Sequence, residues 1–212
     1  MEFKKDVKRY AGQPLLKQVL LDLLKEYKRP FDKLDELVKQ QALTQVRRGV
    51  YIPGPNLDMQ GPEPFLLANH LYGPSYVSLD AALSYWELIP EQVYEITSVT
   101  TRNTRQFISA AGRFTYRHMP SPWYSYGIQQ VKLVEKQTAL LAGKEKALCD
   151  KLIATAGLQL RSIPQARQLL TEDLRMEPET LKYLDTEMMA GWLSAAPKRR
   201  TIEILIKTIE SL

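Results

Sequence analysis

The sequence predicts an α+β protein, in which a small N-terminal domain precedes a mixed α/β domain with a small sheet and C-terminal helices. Three observations support this fold class: helical apolar patterns before residue 40, β-branched and aromatic residues in mid-chain, and helical patterns again from Lys144 onward. The chain has 212 residues, of which 44% are hydrophobic and 25% are charged. These values are typical of a globular protein of one or two domains, and they exclude collagen, coiled coils and disulfide scaffolds.

The N-terminal domain combines two helical patterns with a hairpin pattern. Apolar residues recur at helical spacing over 15–27, which predicts a helix that starts near Pro14. Pro30 can begin a second, shorter helix with its own apolar face. In residues 43–52, alternating side chains precede an Arg-Gly pair, and β-branched and aromatic residues follow it. This pattern predicts two short strands joined by a tight turn. Helix, helix and hairpin together predict a winged-helix DNA-binding domain over residues 1–53.

A segment rich in proline and glycine separates the two domains. The twelve residues from Pro53 to Pro64 contain four prolines and two glycines, so they continue neither a helix nor a central strand. We therefore predict a linker over residues 54–63 and a second domain over 64–212. In the second domain, one helix is predicted before Gly73 and another after a capping Ser78. Strands are predicted within 93–101, 112–119 and 127–141.

The net charge of the protein lies in its N-terminal quarter. Residues 1–52 contain twelve Lys or Arg against seven Asp or Glu, and this difference equals the +5 of the whole chain. A basic domain on a neutral body suits contact with a polyanion such as DNA, because each neutralised phosphate releases counterions. A solvated, Lys-rich helix is the alternative interpretation of the same charges.

A second basic region lies in the middle of the chain. No Asp or Glu occurs between Glu95 and Glu135, whereas arginines are interleaved there with aromatic residues. One interpretation is a partner-binding or single-strand-binding surface, in which aromatic rings stack beside the cations. The other is a sheet with one buried aromatic face and one solvated basic face. The candidate partner-binding residues are Arg102, Arg105, Arg113 and Arg117.

The sequence offers few residues for catalysis. The common phosphate-cradle, dinucleotide, zinc-protease and serine-hydrolase motifs are absent, and the two histidines, His70 and His118, lie far apart. Glu145 and Asp150 beside Lys146 allow the hypothesis of a metal-dependent nuclease. We favour a structural i, i+4 ion pair between Lys146 and Asp150. We therefore predict no enzyme activity, no catalytic residue, no metal site and no cofactor.

The cysteine content and the N-terminal sequence predict a cytoplasmic protein. Cys149 is the single cysteine, so no internal disulfide can form. The first ten residues are charged rather than apolar, unlike a secretory signal. Eighteen uninterrupted apolar residues occur nowhere, so we also expect no membrane-spanning segment.

Several segments together resemble one known family, the AbiEi-type antitoxins, which are also described as predicted transcriptional regulators. The resemblance covers roughly residues 14–176, and its most distinctive string is LYGPSYVSL, from Leu71 to Leu79. The segments occur in the order expected for the family. They are Leu43–Tyr51, Leu67–Tyr85, Ile89–Pro90, Tyr94–Thr100, Gly112–His118 and Glu145–Asp150.

This resemblance implies a bacterial type IV toxin–antitoxin system. In such a system the winged-helix domain binds double-stranded operator DNA and represses its own operon, while the C-terminal domain counters a nucleotidyltransferase toxin, often without a stable complex. The resemblance implies no cofactor and no catalytic residue. It puts the recognition helix at 32–41 and the wing at 44–51. The candidate DNA-binding residues are then Lys33, Lys39, Gln40, Gln41, Arg47 and Arg48.

One feature of the recognition-helix segment departs from the family. Asp32, Asp35 and Glu36 surround its lysines, and acidic side chains that faced phosphates would oppose DNA binding. Either these acids point away from DNA, or operator binding is weakened or lost. The alternative function is a protein-interaction module, in which the basic-aromatic region 102–126 binds an acidic partner such as the toxin and the DNA-binding domain is vestigial. The sequence predicts no particular oligomeric state.

Overall fold

The computed structural model describes residues 2–212 and confirms the α+β fold class. It contains a small three-stranded sheet near the N-terminus, a larger six-stranded mixed sheet, and a group of C-terminal helices. In the described part of the chain, no helix combines the length and the apolar character needed to cross a membrane.

The N-terminal part alternates helices with the strands of the small sheet. This sheet is antiparallel, and β3 lies at its centre in the order β1-β3-β2. The elements are α1 (Glu2–Val7), β1 (Leu15–Leu16), α2 (Lys17–Leu23), α3 (Pro30–Lys39), β2 (Leu43–Arg47) and β3 (Val50–Pro53).

The helix predicted from near Pro14 begins later and ends earlier than the apolar pattern suggests. Leu15 and Leu16 form a strand that pairs with Tyr51 and Val50 of the hairpin, and α2 starts only at Lys17. Two adjacent apolar residues fit the start of a helix or a short strand equally well, and the distant strand β3 decides between them. After α2 the chain turns, so the end of the predicted helix lies outside it.

The predicted linker has no helix or strand, but it packs against the N-terminal part. Leu57 is 3% exposed and lies in the same hydrophobic cluster as Leu15 and Leu34. The amide of Gly54 donates to the carbonyl of Ala42 at 2.9 Å. The linker residues therefore belong to the N-terminal core rather than forming a free spacer.

The second sheet is mixed and has six strands. Its strands, with the helices that lie before and among them in the chain, are α4 (Pro64–Leu71), β4 (Ser75–Val77), α5 (Leu79–Tyr85), β5 (Ile96–Thr100), β6 (Arg105–Ser109), β7 (Gly112–His118), β8 (Ile128–Val134) and β9 (Gln137–Ala142). The strands lie in the order β6-β7-β5-β4-β9-β8. The helices that follow are α6 (Lys144–Ala154), α7 (Ile163–Gln168), α8 (Pro178–Leu181), α9 (Thr186–Gly191) and α10 (Arg199–Glu210).

The two faces of this sheet belong to two different hydrophobic clusters. Tyr76 and Val99 point toward α5, α6 and the C-terminal helices. Phe114 and Leu141 lie on the opposite face, where α4 and the β2–β3 hairpin cover them. Alternation of side chains along each strand separates the two sets.

The β2–β3 hairpin connects the two predicted domains. Val46 and Val50 of the hairpin lie in one cluster with Leu71 and Phe114 of the second domain. A second connection is made by the buried side chain of Gln137, which accepts a hydrogen bond from the amide of Glu63 at 2.6 Å. The N-terminal part and the six-stranded sheet are thus packed against each other.

We predict that Gly54→Ala destabilises the protein far more than Gly61→Ala, although both glycines lie in the predicted linker. A Cβ at Gly54 would lie 2.2 Å from the carbonyl oxygen of Gln41, whereas a Cβ at Gly61 meets nothing within 4 Å. We expect Gly54→Ala to cost about 2–3 kcal/mol and Gly61→Ala to change the free energy of unfolding by less than about 1 kcal/mol. Urea-induced unfolding measures both, and equal losses would contradict the close packing at Gly54.

Candidate functional site

Helix α3 exposes a mixed-charge surface. Its apolar side chains Leu34 and Leu37 are buried, so Asp32, Asp35 and Lys39 face solvent. Asp32 lies 3.6 Å from the guanidinium of Arg29, an exposed contact that contributes little. The acids of the predicted recognition helix therefore point outward, on the same surface as its second lysine.

Two predicted DNA-binding side chains of α3 are bound to an acid of the same helix. Glu36 accepts hydrogen bonds from Lys33 Nζ at 2.8 Å and from Gln40 Nε2 at 2.9 Å. The hydrogen bond from Lys33 lowers the pKa of Glu36, so its carboxylate remains charged. Lys33 also lies over the ring of Tyr27, 5.5 Å from its centroid.

Gln41 reverses the chain after α3. Its φ of 56° lies in the left-handed region, which commonly ends helices. Its carbonyl accepts a hydrogen bond from the amide of Asn56, and the neighbouring Gln40 carbonyl accepts one from the Asn56 side chain. The backbone of Gln40 and Gln41 thus holds the predicted linker, while both side chains are exposed.

The two arginines of the hairpin have different surroundings. Arg47 Nη1 donates to the carbonyl of Leu71 at the end of α4, and its guanidinium lies 5.5 Å from the Phe107 ring centroid. Arg48 is exposed at the hairpin turn, next to Gly49 with its positive φ of 87°. Arg47 is therefore occupied within the protein, whereas Arg48 is free to contact a ligand.

Arg47 forms part of a larger group, which we call the arginine cluster: Arg47, Arg102 and Arg105, gathered around the rings of Tyr72 and Phe107. Arg105 lies over both rings, at 5.9 and 5.1 Å from their centroids, and Arg102 lies 5.6 Å from that of Tyr72. The two ring centroids are 5.8 Å apart. Among the described residues, no acid forms an ion pair with any of the three guanidinium groups.

The structure does not bring all four predicted partner-binding arginines together. Arg105 pairs with Tyr116 in the sheet, so its side chain starts on the aromatic side of β6. Arg113 and Arg117 alternate with the buried Phe114 and Tyr116 and therefore lie on the opposite face. Arg102 and Arg105 belong to the arginine cluster, and the other two do not.

Arg105 and Arg117 both line an open cleft of about 610 Å³ between the sheet and α5 and α6. Lys151 and Asp80 form an ion pair of 2.7 Å within this cleft. Glu95 lines the same cleft and accepts hydrogen bonds from Thr115 and Gln106. The cleft contains acids as well as cations, and it borders the arginine cluster at Arg105.

The aromatic residues of the basic region are mostly internal. Phe114, Tyr116 and Trp123 are fully buried, so they offer no stacking surface. The Tyr116 hydroxyl donates to the carbonyl of Ala68 at 2.7 Å, and burial raises its pKa. The interpretation as a sheet with a buried aromatic face is therefore confirmed for Phe114 and Tyr116 of β7, whereas Trp123 is buried in a short 3-10 turn outside the sheet.

The acidic group on α6 forms a buried network. The Asp150 carboxylate accepts four hydrogen bonds of 2.8–2.9 Å, which occupy all its lone-pair positions. The four donors are the Tyr76 hydroxyl, the Ser78 hydroxyl, Trp123 Nε1 and Lys146 Nζ. The expected ion pair between Lys146 and Asp150 is present, and both side chains are completely buried. This carboxylate is therefore not open to a solvent-borne metal ion.

Several groups around this network have altered pKa values. Burial lowers the pKa of Lys146, an effect that Asp150 opposes, and burial raises the pKa of the Tyr76 hydroxyl and of the Cys149 thiol. Ser78 precedes α5 as predicted, but its hydroxyl donates to Asp150 and makes no capping bond. The predicted side-chain cap is thus wrong, because Asp150 attracts that hydroxyl.

The remaining nuclease and metal candidates are held by backbone groups. Glu145 is 9% exposed and accepts a hydrogen bond from the amide of Asp185. His70 and His118 each place Nδ1 near a backbone oxygen, of Leu66 and Arg102 respectively. Residues 2–212 contain no group of three or more His, Cys, Asp or Glu side chains arranged to hold a metal ion.

Comparison with known proteins gives no match for this chain, either among protein-family models or among curated proteins.

We predict that Lys146→Met destabilises the protein strongly. The substitution leaves the Asp150 carboxylate buried without its cation, which costs about 3–5 kcal/mol. Lys151→Met on the same helix removes a partly exposed pair with Asp80, and we expect a loss of about 1 kcal/mol or less. Urea-induced unfolding compares the two variants. Similar losses would show that the buried pair has no special role.

Proposed function

We propose that this protein is a DNA-binding transcriptional regulator whose N-terminal part acts as a winged-helix domain. The observation that carries the proposal is the order of elements, helix, strand, helix, helix, strand, strand, around a sheet of order β1-β3-β2. A helix-turn-helix unit needs a helix pair in which the second helix reaches the major groove, and α2 and α3 suit these roles. Helix α1 adds a third helix before the hairpin.

The proposed DNA surface consists of the exposed side of α3 and the hairpin turn. Lys39 and Gln40 are exposed at the end of α3, and Arg48 is exposed at the turn. Arg47 is left out of this surface, because its guanidinium contacts Leu71 and Phe107. Lys33 contributes less to the attraction of DNA than the sequence predicts, since its charge is offset by Glu36.

The antitoxin part of the proposal rests on the resemblance to AbiEi-type proteins. We propose that the protein represses its own operon and that the second domain counters a nucleotidyltransferase toxin. This antitoxin activity should be tested with the whole chain rather than with the second domain alone. Removal of residues 1–63 would take away the hairpin and expose Leu71 and Phe114.

We predict that Asp32→Asn combined with Asp35→Asn tightens DNA binding. Both carboxylates are exposed on α3, where they would repel phosphates. Removing two such charges should raise the affinity for duplex DNA by roughly threefold to tenfold at moderate salt. Fluorescence anisotropy with the DNA upstream of the gene measures the change.

The matched control for this test is Asp173→Asn combined with Glu187→Gln. These two acids are exposed on the C-terminal helices, and they change the net charge by the same amount. We expect the control variant to bind DNA nearly as the unmodified protein does. Equal gains in both variants would mean that overall charge, and not α3, determines the affinity.

A second candidate function is recognition of an acidic partner protein. The observation in its favour is the arginine cluster, in which three guanidinium groups lie together without an ion-paired acid in the described part of the chain. Charge of one sign that is not offset within a protein attracts a ligand of the opposite sign.

A further inference from the structure

We propose that an extended acidic segment of a partner protein binds this chain by adding a strand to the free edge of β6, with its carboxylates on the arginine cluster. The inference rests on the second candidate function and specifies how the acidic partner is held. It is carried by three independent features of the region around β6.

The first feature is an open sheet edge. β6 is the terminal strand of the six-stranded sheet, and β7 is its only paired strand within the described residues. In an antiparallel pair, every second residue of an edge strand directs its N–H and C=O groups outward. An added strand would use these groups, as in other complexes formed by strand addition.

The second feature is an exposed apolar side chain on this edge strand. Ile108 is 71% exposed and pairs across the sheet with Arg113. Edge strands are normally protected by charged side chains, bulges or prolines, and none of these occurs at the centre of β6. A peptide strand can cover Ile108 with an apolar side chain of its own.

The third feature is the position of the cations. Arg105 begins β6, Arg102 lies three residues before it, and both are exposed. Arginine presents its donors in a planar fork that matches a carboxylate, so these side chains suit Asp or Glu of an added strand. Arg47 lies over the Phe107 ring of the same cluster and donates to the carbonyl of Leu71, so it adds positive charge to the site rather than a free donor.

The three features together favour a polypeptide over nucleic acid. Phosphate groups would pair with the arginines. A nucleic acid would, however, leave Ile108 uncovered and the outward N–H and C=O groups of β6 without hydrogen-bond partners. An acidic strand uses all three features at once. The partner is therefore a protein segment in which acidic and apolar residues alternate, since alternate side chains of a strand point to opposite faces.

The test uses the full chain and a fluorescein-labelled peptide of alternating glutamate and valine. We expect this peptide to bind the unmodified protein and the salt dependence to be marked. Arg102→Ala combined with Arg105→Ala should weaken binding about tenfold, because two charge-assisted contacts are lost. Arg161→Ala combined with Arg200→Ala removes two exposed arginines elsewhere and should leave the affinity unchanged. Thermal unfolding of all variants checks that they fold.

A second peptide separates strand addition from simple charge attraction. It carries the same glutamates, with proline in place of every second valine, so it cannot pair fully with a strand. We expect it to bind far more weakly than the first peptide. Equal binding of both peptides would overturn strand addition while leaving the acidic-partner function in place.

Three other outcomes would also overturn the inference. Binding of neither peptide to the unmodified protein would contradict both this inference and the second candidate function. Unchanged peptide binding by the variant with Arg102→Ala and Arg105→Ala would show that the arginine cluster is not part of the binding site. Binding of a DNA duplex, and not of the peptide, through Arg102 and Arg105 would assign the cluster to phosphates.

Discussion

The β2–β3 hairpin is held between two hydrophobic cores, and the candidate surfaces on both parts of the molecule depend on this position. Tyr51 packs in the N-terminal core, whereas Val46 and Val50 pack with Leu71 and Phe114 of the second domain. Moving the hairpin away from the sheet would expose apolar surface on both sides, at a cost proportional to the area exposed. The hairpin therefore joins the N-terminal core to the core on one face of the larger sheet, while a third core lies on the other face of that sheet.

This position of the hairpin determines what each surface can bind. A hairpin that is fixed on a second domain can offer a ligand mainly its turn, where Arg48 is exposed. The other hairpin arginine, Arg47, is directed to the second sheet and joins Arg102 and Arg105. One short hairpin thus takes part in both the proposed DNA surface and the proposed partner surface.

Local patterns predicted the elements that depend on near neighbours, and they missed those that depend on distant ones. The second helix, the hairpin and the Lys146–Asp150 pair were predictable, because helix, turn and i, i+4 geometry are local. The strand at Leu15 was not, because its partner β3 lies some 35 residues away in sequence. The arginines of the basic region were predicted as a set, but alternation along β7 and its register with β6 place Arg113 and Arg117 on the face opposite to the start of the Arg105 side chain.

The most direct test of the account is a titration of the full chain with its own upstream DNA and with a scrambled duplex, over a series of salt concentrations. With about two to three phosphates neutralised by Lys39, Arg48 and the partly offset Lys33, the account predicts a log–log salt slope of about −2 to −3. It also predicts a preference for the upstream sequence of at least ~10³-fold. Weak binding without preference and with a flat salt dependence would contradict the proposal that the N-terminal part reads DNA.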